Sequence, residues 1–267
     1  MKAFNFSPAL PLSFAFTALI SSSAVHAGWQ DWFKKAEEIM VQSQSSTSAE
    51  GSASFSGLTQ AEISAGLKEA LAVGAKRAVE EIGVENGFNA NSQIRIPLPT
   101  QMQNIANLME KFGQGQLVEQ FQLSLNRAAE KAVPEALPIF EKAITSMSLD
   151  DAMGILKGGD NSATAYFETK TSADLEAKIS PLVTDAMSQS QVNFYYKNMI
   201  NTAKRYDKLG LMGIYMPEGS ADVEAHVTSY AMTGLFTKLA EEEKKIRDNP
   251  QQRTTELMKK VFSQSQD

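Results

Sequence analysis

From Leu58 onward the apolar side chains of this chain recur at the pitch of an α-helix almost without interruption, and no stretch alternates β-branched residues at period two. Such a pattern can hide its oily stripes only by packing helix against helix. The run opens with Thr59-Gln60-Ala61-Glu62, a capping box in which the Thr oxygen and the Glu carboxylate satisfy amides that a helix start leaves unpaired. Ile63, Leu67, Leu71, Ala78 and Ile82 then line one face. Gly66 and Gly74 interrupt this good helix former at a cost of roughly 1 kcal/mol each relative to Ala, which predicts a closely approaching neighbour. Gly83 and Gly87 end the helix.

Punctuation sets the elements that follow. Ile94-Arg95-Ile96-Pro97-Leu98-Pro99 must be extended, because residues before proline are pushed out of the helical region, and it reads as an interhelical connector in preference to a recognition strip. Thr100 is the expected cap of a helix through Phe112, with Ile105, Leu108 and Phe112 inward and Gly113 as the stop. The next helix runs from Gln116 to Val133 with Leu117, Phe121, Leu125 and Ala128 inward. Past Pro134, a third carries Leu137, Phe140, Ile144 and Met147, where Pro138 is tolerable only in the first turn. Ser148-Leu149-Asp150-Asp151 repeats the capping logic for a short helix to Lys157, which Gly158-Gly159 stops.

Asp160 is the expected cap of another short helix bearing Tyr166 and Phe167. Thr171 or Ser172 then begins a long one that Pro181 kinks or divides, its apolar side continuing through Phe194, Tyr195, Tyr196, Met199 and Ile200. Asp207 to Gly219 reads as a loop. Beyond Asp222 a helix reaches Asp248, with Glu241 to Lys245 and Glu243 to Arg247 as favourably oriented i,i+4 pairs on a solvated face. Asn249-Pro250 ends it, and a last helix carries Leu257, Val261 and Phe262. The expectation is an all-α fold, a compact array of about eight to ten helices with no sheet, formed by residues 58–262 as a single domain and followed by a disordered tail, 263–267.

Ahead of this domain, residues 1–27 have the anatomy of a secretory signal: Lys2, an apolar run from Leu10 to Ile20, and a Val25-His26-Ala27 cleavage site. The run is about half the ~20 residues a bilayer span needs, so cleavage after Ala27 and a periplasmic location are expected. Removing these 27 of 267 residues leaves 240 and moves the formal charge from −6 to −7, since Lys2 is the leader's one charged side chain. Residues 28–41 form an amphipathic aromatic helix with Trp29, Trp32 and Phe33 on its apolar face. That face either docks on the protein's own body or makes peripheral contact with a membrane or partner. Docking is favoured, because Asp31, Glu37 and Glu38 offset Lys34 and Lys35 and leave little pull toward anionic lipid. Residues 42–57, rich in Ser and Gly, read as a flexible linker.

The segments Asn126-Arg127-Ala128-Ala129-Glu130, Val133-Pro134-Glu135-Ala136 and Ile155-Leu156-Lys157-Gly158-Gly159-Asp160 resemble the bacterial domain-of-unknown-function family 4197. So do Leu67-Lys68-Glu69-Ala70-Leu71, the Ile94 to Pro99 strip and Glu241 to Arg247, so that the resemblance covers about Leu58 to Phe262. It implies an exported, helical protein, in a family where some members carry a lipid-anchor cysteine that this chain lacks. It transfers no chemistry.

Residue supply limits the chemistry further. The chain has no cysteine, and His226 is the one histidine outside the leader, so any Ser-His-Asp arrangement would have to use it. His226 sits at the edge of a helical face, the place of a boundary side chain. No G-x-S-x-G elbow, S-x-x-K pair, P-loop or EF-hand loop is present. Zinc sites need Cys and His, which leaves only oxygen clusters such as Asp150/Asp151 and Glu241 to Glu243, better explained by capping and ion pairing. No metal and no cofactor is expected. The acidic balance argues against nucleic acid as a partner.

Two polar groups stand out. Asn126, Arg127 and Glu130 lie one helical turn apart, with Glu135 across the Pro134 break. Arg127 could clamp an anion while Glu130 and Glu135 act as acid and base, or the same residues could form an ion-pair network fixing two helices; the second is the simpler reading. Gly158-Gly159-Asp160 with Thr164 and Tyr166 could offer helix-start amides to an anion, although Asp160 would repel it, and a helix stop followed by a start explains the segment more simply. The functional expectation is a non-enzymatic binding or interaction protein of the cell envelope, its partner an unknown envelope protein or small ligand. The alternative is a carboxylate-dependent hydrolase using Glu130, Glu135 and Arg127.

Overall fold

Thr59 and Glu62 start the first helix as the sequence predicts: the Glu62 amide donates to Thr59 Oγ1 at 3.2 Å, and the Thr59 amide donates to Glu62 Oε2 at 2.8 Å. The computed structural model describes residues 58–206, 221–253 and 255–263. All of them fall in one compact unit, Ala53–Asp267. The expected leader, the 28–41 helix, the 42–57 linker, the 207–219 loop and the tail beyond Ser263 lie outside the described residues. Ser263, expected to begin that tail, is the last residue of a helix.

Nine α-helices lie among the described residues, with no strand. They are α1 (Gln60–Ile82), α2 (Thr100–Lys111), α3 (Gly115–Ala132), α4 (Leu137–Ser146), α5 (Leu149–Lys157), α6 (Ser162–Gln189), α7 (Val192–Tyr206), α8 (Ala221–Asp248) and α9 (Glu256–Ser263). Short 3-10 turns, Val133–Ala136 and Pro250–Gln252, bridge α3 to α4 and α8 to α9. The all-α array is therefore as expected. Helix α6 packs on α3 and α8, α1 lies along α8, and α9 returns against α1. Phe121, Phe140 and Phe167 are fully enclosed where these helices meet, Phe140 edge-on to Phe167 at 5.1 Å between centroids. The predicted close neighbour of Gly66 is α9: a Cβ there would stand 2.9 Å from Val261 Cγ2 and 3.0 Å from Leu257 Cγ.

Several expectations need correction. Thr100 is the first residue of α2 and not its cap, which is Pro99 with no side-chain bond. The buried face of α2 is Met102, Ile105, Ala106 and Met109; Phe112 is 45% exposed and stacks on Tyr206 at 4.6 Å. Tyr206 supplies a partner that the helical wheel of α2 alone does not show.

Residues 162–189 form one continuous helix, not a short helix followed by a long one. Thr171 does not start an element, because its hydroxyl donates to the Phe167 carbonyl at 2.7 Å and so spends its capping capacity inside the helix. Pro181 stays within α6 on its exposed side, where a carbonyl without an amide partner can meet water. The break comes later, at Gln191 with φ 58, so Phe194 to Ile200 belong to the separate helix α7. Phe194 itself is 55% exposed.

Candidate functional site

Asn126, Arg127 and Glu130 leave one exposed-to-buried edge of α3 and together grip the 83–99 connector. Asn126 Oδ1 accepts the Ile96 amide at 2.8 Å, and its Nδ2 donates to the Ile96 carbonyl at 3.1 Å and to Gln122 O at 2.9 Å. The carboxamide thus reads the backbone of Ile96 on both sides, as a neighbouring strand would. Glu130 Oε1 accepts the Phe88 and Asn89 amides at 3.0 and 3.1 Å, while its Oε2 accepts from Arg127 Nη1. Arg127 Nη2 reaches back to Glu85 Oε1 at 2.9 Å and Asn86 Oδ1 at 3.0 Å.

Between these grips Phe88 is completely buried, its ring filling the space that a side chain at Gly234 of α8 would need. His226 holds the far end of the connector, Nε2 lying 2.8 Å from Pro97 O, with its ring against Tyr230. The four expected residues do not converge on one point. Glu135 is half exposed and lies 3.9 Å from Lys178 of α6, with partners separate from those of Glu130.

At the second expected group the helix-start amides are already occupied. Asp160 and Gly159 are exposed, and Asp160 is not the cap: the N-cap position is Asn161, which makes no side-chain bond. The cap comes from α8. Glu243 Oε1 accepts the Ala163 amide and Oε2 accepts both the amide and the hydroxyl of Thr164, all at 2.9 Å. Arg247 completes the cluster, donating to Glu243 Oε1, to Ile155 O and to Ser162 Oγ between 2.8 and 3.0 Å. A helix N-terminus attracts negative charge, and here the protein supplies it internally. Tyr166 turns the other way, its hydroxyl 3.3 Å from Ala143 O; burial, and then the charge of Asp151, push its phenol up.

The predicted Glu243 to Arg247 pair exists, but the solvated face does not. Glu242 and Glu243 are only 4% and 8% exposed. Glu241 pairs backward with Lys238 at 2.6 Å, and Lys245 takes Glu242 at 2.6 Å, so the expected Glu241 to Lys245 pair is replaced by two i,i+3 contacts. Packing decides this: α8 lies against α1, where Glu81 reaches the buried Lys238 at 2.7 Å. Burial alone would depress the Lys238 ammonium, and the hydrogen bonds it donates to Glu241 and Glu81 outweigh burial and hold the group above its usual value.

Of the residues lining one open groove, the sequence singled out as a candidate site residue only Thr164. A groove of about 990 Å³ runs between α6 and α8, from Asn161 and Thr164 at one end to Ser180 and Glu224 at the other. Met232 and Phe236 give it an apolar floor, and Glu168, Glu176 and Glu224 rim it. Its signal was present as the four-residue spacing Glu168, Ser172, Glu176, Ser180, but only the placement of α8 turns that polar stripe into one wall of a cleft. Among the described residues no group of three His, Cys, Asp or Glu is placed to hold a metal ion, and no helix is long and apolar enough to cross a membrane.

The fold and its two internal clamps define an all-α helical array with an acidic interhelical groove among its described residues. Residues 57–263 match the family described as "Protein of unknown function (DUF4197)", and the chain belongs to that family. Comparison with curated proteins and with solved structures finds no match.

Proposed function

We propose that this chain is a non-enzymatic binding protein of the cell envelope, exported by its leader and engaging its partner through the groove between α6 and α8. One observation carries the reading: the open, polar-rimmed concavity extends away from the clamps that engage Glu130, Arg127 and Glu243, sharing with them Thr164 at one end. The hydrolase reading needs Glu130 and Glu135 facing one reacting centre. Both oxygens of Glu130 are spent on the connector and Arg127, and Glu135 faces Lys178. A binding groove asks only for shape and complementary charge, both of which α6 and α8 supply. The compartment rests on the leader pattern of residues 1–27.

Native mass spectrometry of the protein isolated from the envelope fraction of its own cells tests the proposal. The expected result is a mature chain beginning at Gly28 with a retained noncovalent adduct. A bare chain, a chain recovered from the cytosol with its leader attached, or a hydrolytic activity that disappears in the exposed-site variant Glu135→Gln would overturn it.

A further inference from the structure

We infer that the α6/α8 groove receives an extended, basic segment of another polypeptide, about seven residues long, with cationic side chains four positions apart. This rests on the binding reading and names the class of partner.

Charge points first to a cation. Three carboxylates line the groove, and among the described residues no Lys, Arg or His does. Glu168 and Glu176 have no ion-pair or hydrogen-bond partner for their carboxylates among the described residues, whereas Glu224 takes the Thr184 hydroxyl.

An independent sign comes from Thr228, which lines the same groove. It is 6% exposed and its hydroxyl has no hydrogen-bond partner. Threonines within a helix usually return the hydroxyl to the carbonyl four residues back, as Thr233 and Thr237 do on this helix at 2.9 and 2.8 Å. A buried hydroxyl left without a partner is unfavourable; the atom is enclosed as it stands, and a χ1 rotation would turn it toward the groove that Thr228 lines, where a ligand carbonyl would accept its proton.

Size then chooses between a small amine and a chain. The wall from Glu224 to Ala240 spans sixteen residues of α8, or about 24 Å at ~1.5 Å per residue. An extended polypeptide covers that length with about seven residues. Small ligands are mostly enclosed by their sites, and a trough of about 990 Å³ is far larger than a single linear amine fills.

Spacing sharpens the choice. Glu168 and Glu176 are eight residues apart on α6, about 12 Å along the helix. Residues i and i+4 of an extended chain project from one face about 13 Å apart. Two lysines or arginines at that interval meet both carboxylates, while the intervening side chains rest on Met232 and Phe236.

Fluorescence anisotropy with the full-length mature chain and a labelled heptapeptide, Lys at its second and sixth positions and Ala and Leu elsewhere, tests the inference. Saturable binding is expected, falling about tenfold in the double variant Glu168→Gln/Glu176→Gln, two exposed positions whose replacement leaves the helix intact. Thr228→Val, which keeps the shape and removes the hydroxyl, also weakens binding with the circular dichroism spectrum unchanged. Equal binding by the double variant, equal binding of a peptide with Glu in place of Lys, or calorimetric binding of spermidine with no binding of the peptide overturns the inference. If the peptide fails while native mass spectrometry retains an adduct, the basic-segment assignment falls and the binding reading stands. If both fail, both fall.

Discussion

Glu243 caps a helix to which it does not belong, at Thr164 in the first turn: its Oε2 accepts both the amide and the hydroxyl of Thr164, at 2.9 Å each, across seventy-nine positions of sequence. The contact ties α8 to α6 at one end of the groove those helices form, and it replaces a local cap that Asn161 does not provide.

Glu243→Ala removes that cap and leaves Arg247 without its carboxylate. Breaking a buried pair from one side costs about 3–5 kcal/mol. Urea unfolding followed by circular dichroism should show a midpoint lowered accordingly. Glu243→Gln, which can still accept an amide proton, should lose less.

The connector clamp predicts a local effect. Asn126→Ala leaves the buried Ile96 amide without an acceptor, at about 1–3 kcal/mol. Glu130→Ala does the same to Phe88 and Asn89. Hydrogen exchange should accelerate at those amides first, with the centres of α6 and α8 least affected; uniform acceleration across the domain would contradict the clamp.

Two glycines separate packing from propensity. Gly66→Ala pushes a methyl against Val261 and Leu257, and overpacking costs about 1–3 kcal/mol, more than the propensity gained. Gly154→Ala, where nothing lies within 4 Å, should stabilise by about 0.5–1 kcal/mol. Thermal melts of the two variants should move in opposite directions.

The first capping box predicts a pH dependence. The Thr59 amide, then the Thr59 hydroxyl, hold the Glu62 carboxyl below its usual value, with Lys260 adding to the effect against a small opposing contribution from burial. A carboxyl whose folded pKa is depressed contributes stability above its unfolded pKa of about 4, and that contribution disappears as pH falls through the folded value. Thr59→Ala should therefore cost about 1 kcal/mol at pH 7 and clearly less near pH 3. The difference in unfolding free energy between variant and parent at the two pH values checks the sign.

What was legible in advance was local. Thr59 with Glu62 and Ser148 with Asp151 close capping boxes within four residues, so neither needs knowledge of any other helix. Gly83, Gly113 and Gly158 stop helices for equally local reasons. The continuity of α6 through Thr171 was not legible, because a threonine can cap a new helix or back-bond within an old one, and the choice depends on what covers it. Asn126, Arg127 and Glu130 were readable as a polar cluster, but their partners Ile96, Phe88 and Glu85 lie thirty to forty-two positions away.

The one-dimensional pattern alone determined that this protein is built of helices and where most of them stop, since apolar pitch and capping act within a turn or two of chain. Tertiary structure alone decided which carboxylates are buried as clamps and which stand open along the groove. Glu243 and Glu168 differ little as residues in sequence; burial, partner and exposure arise only when α8 is laid against α6.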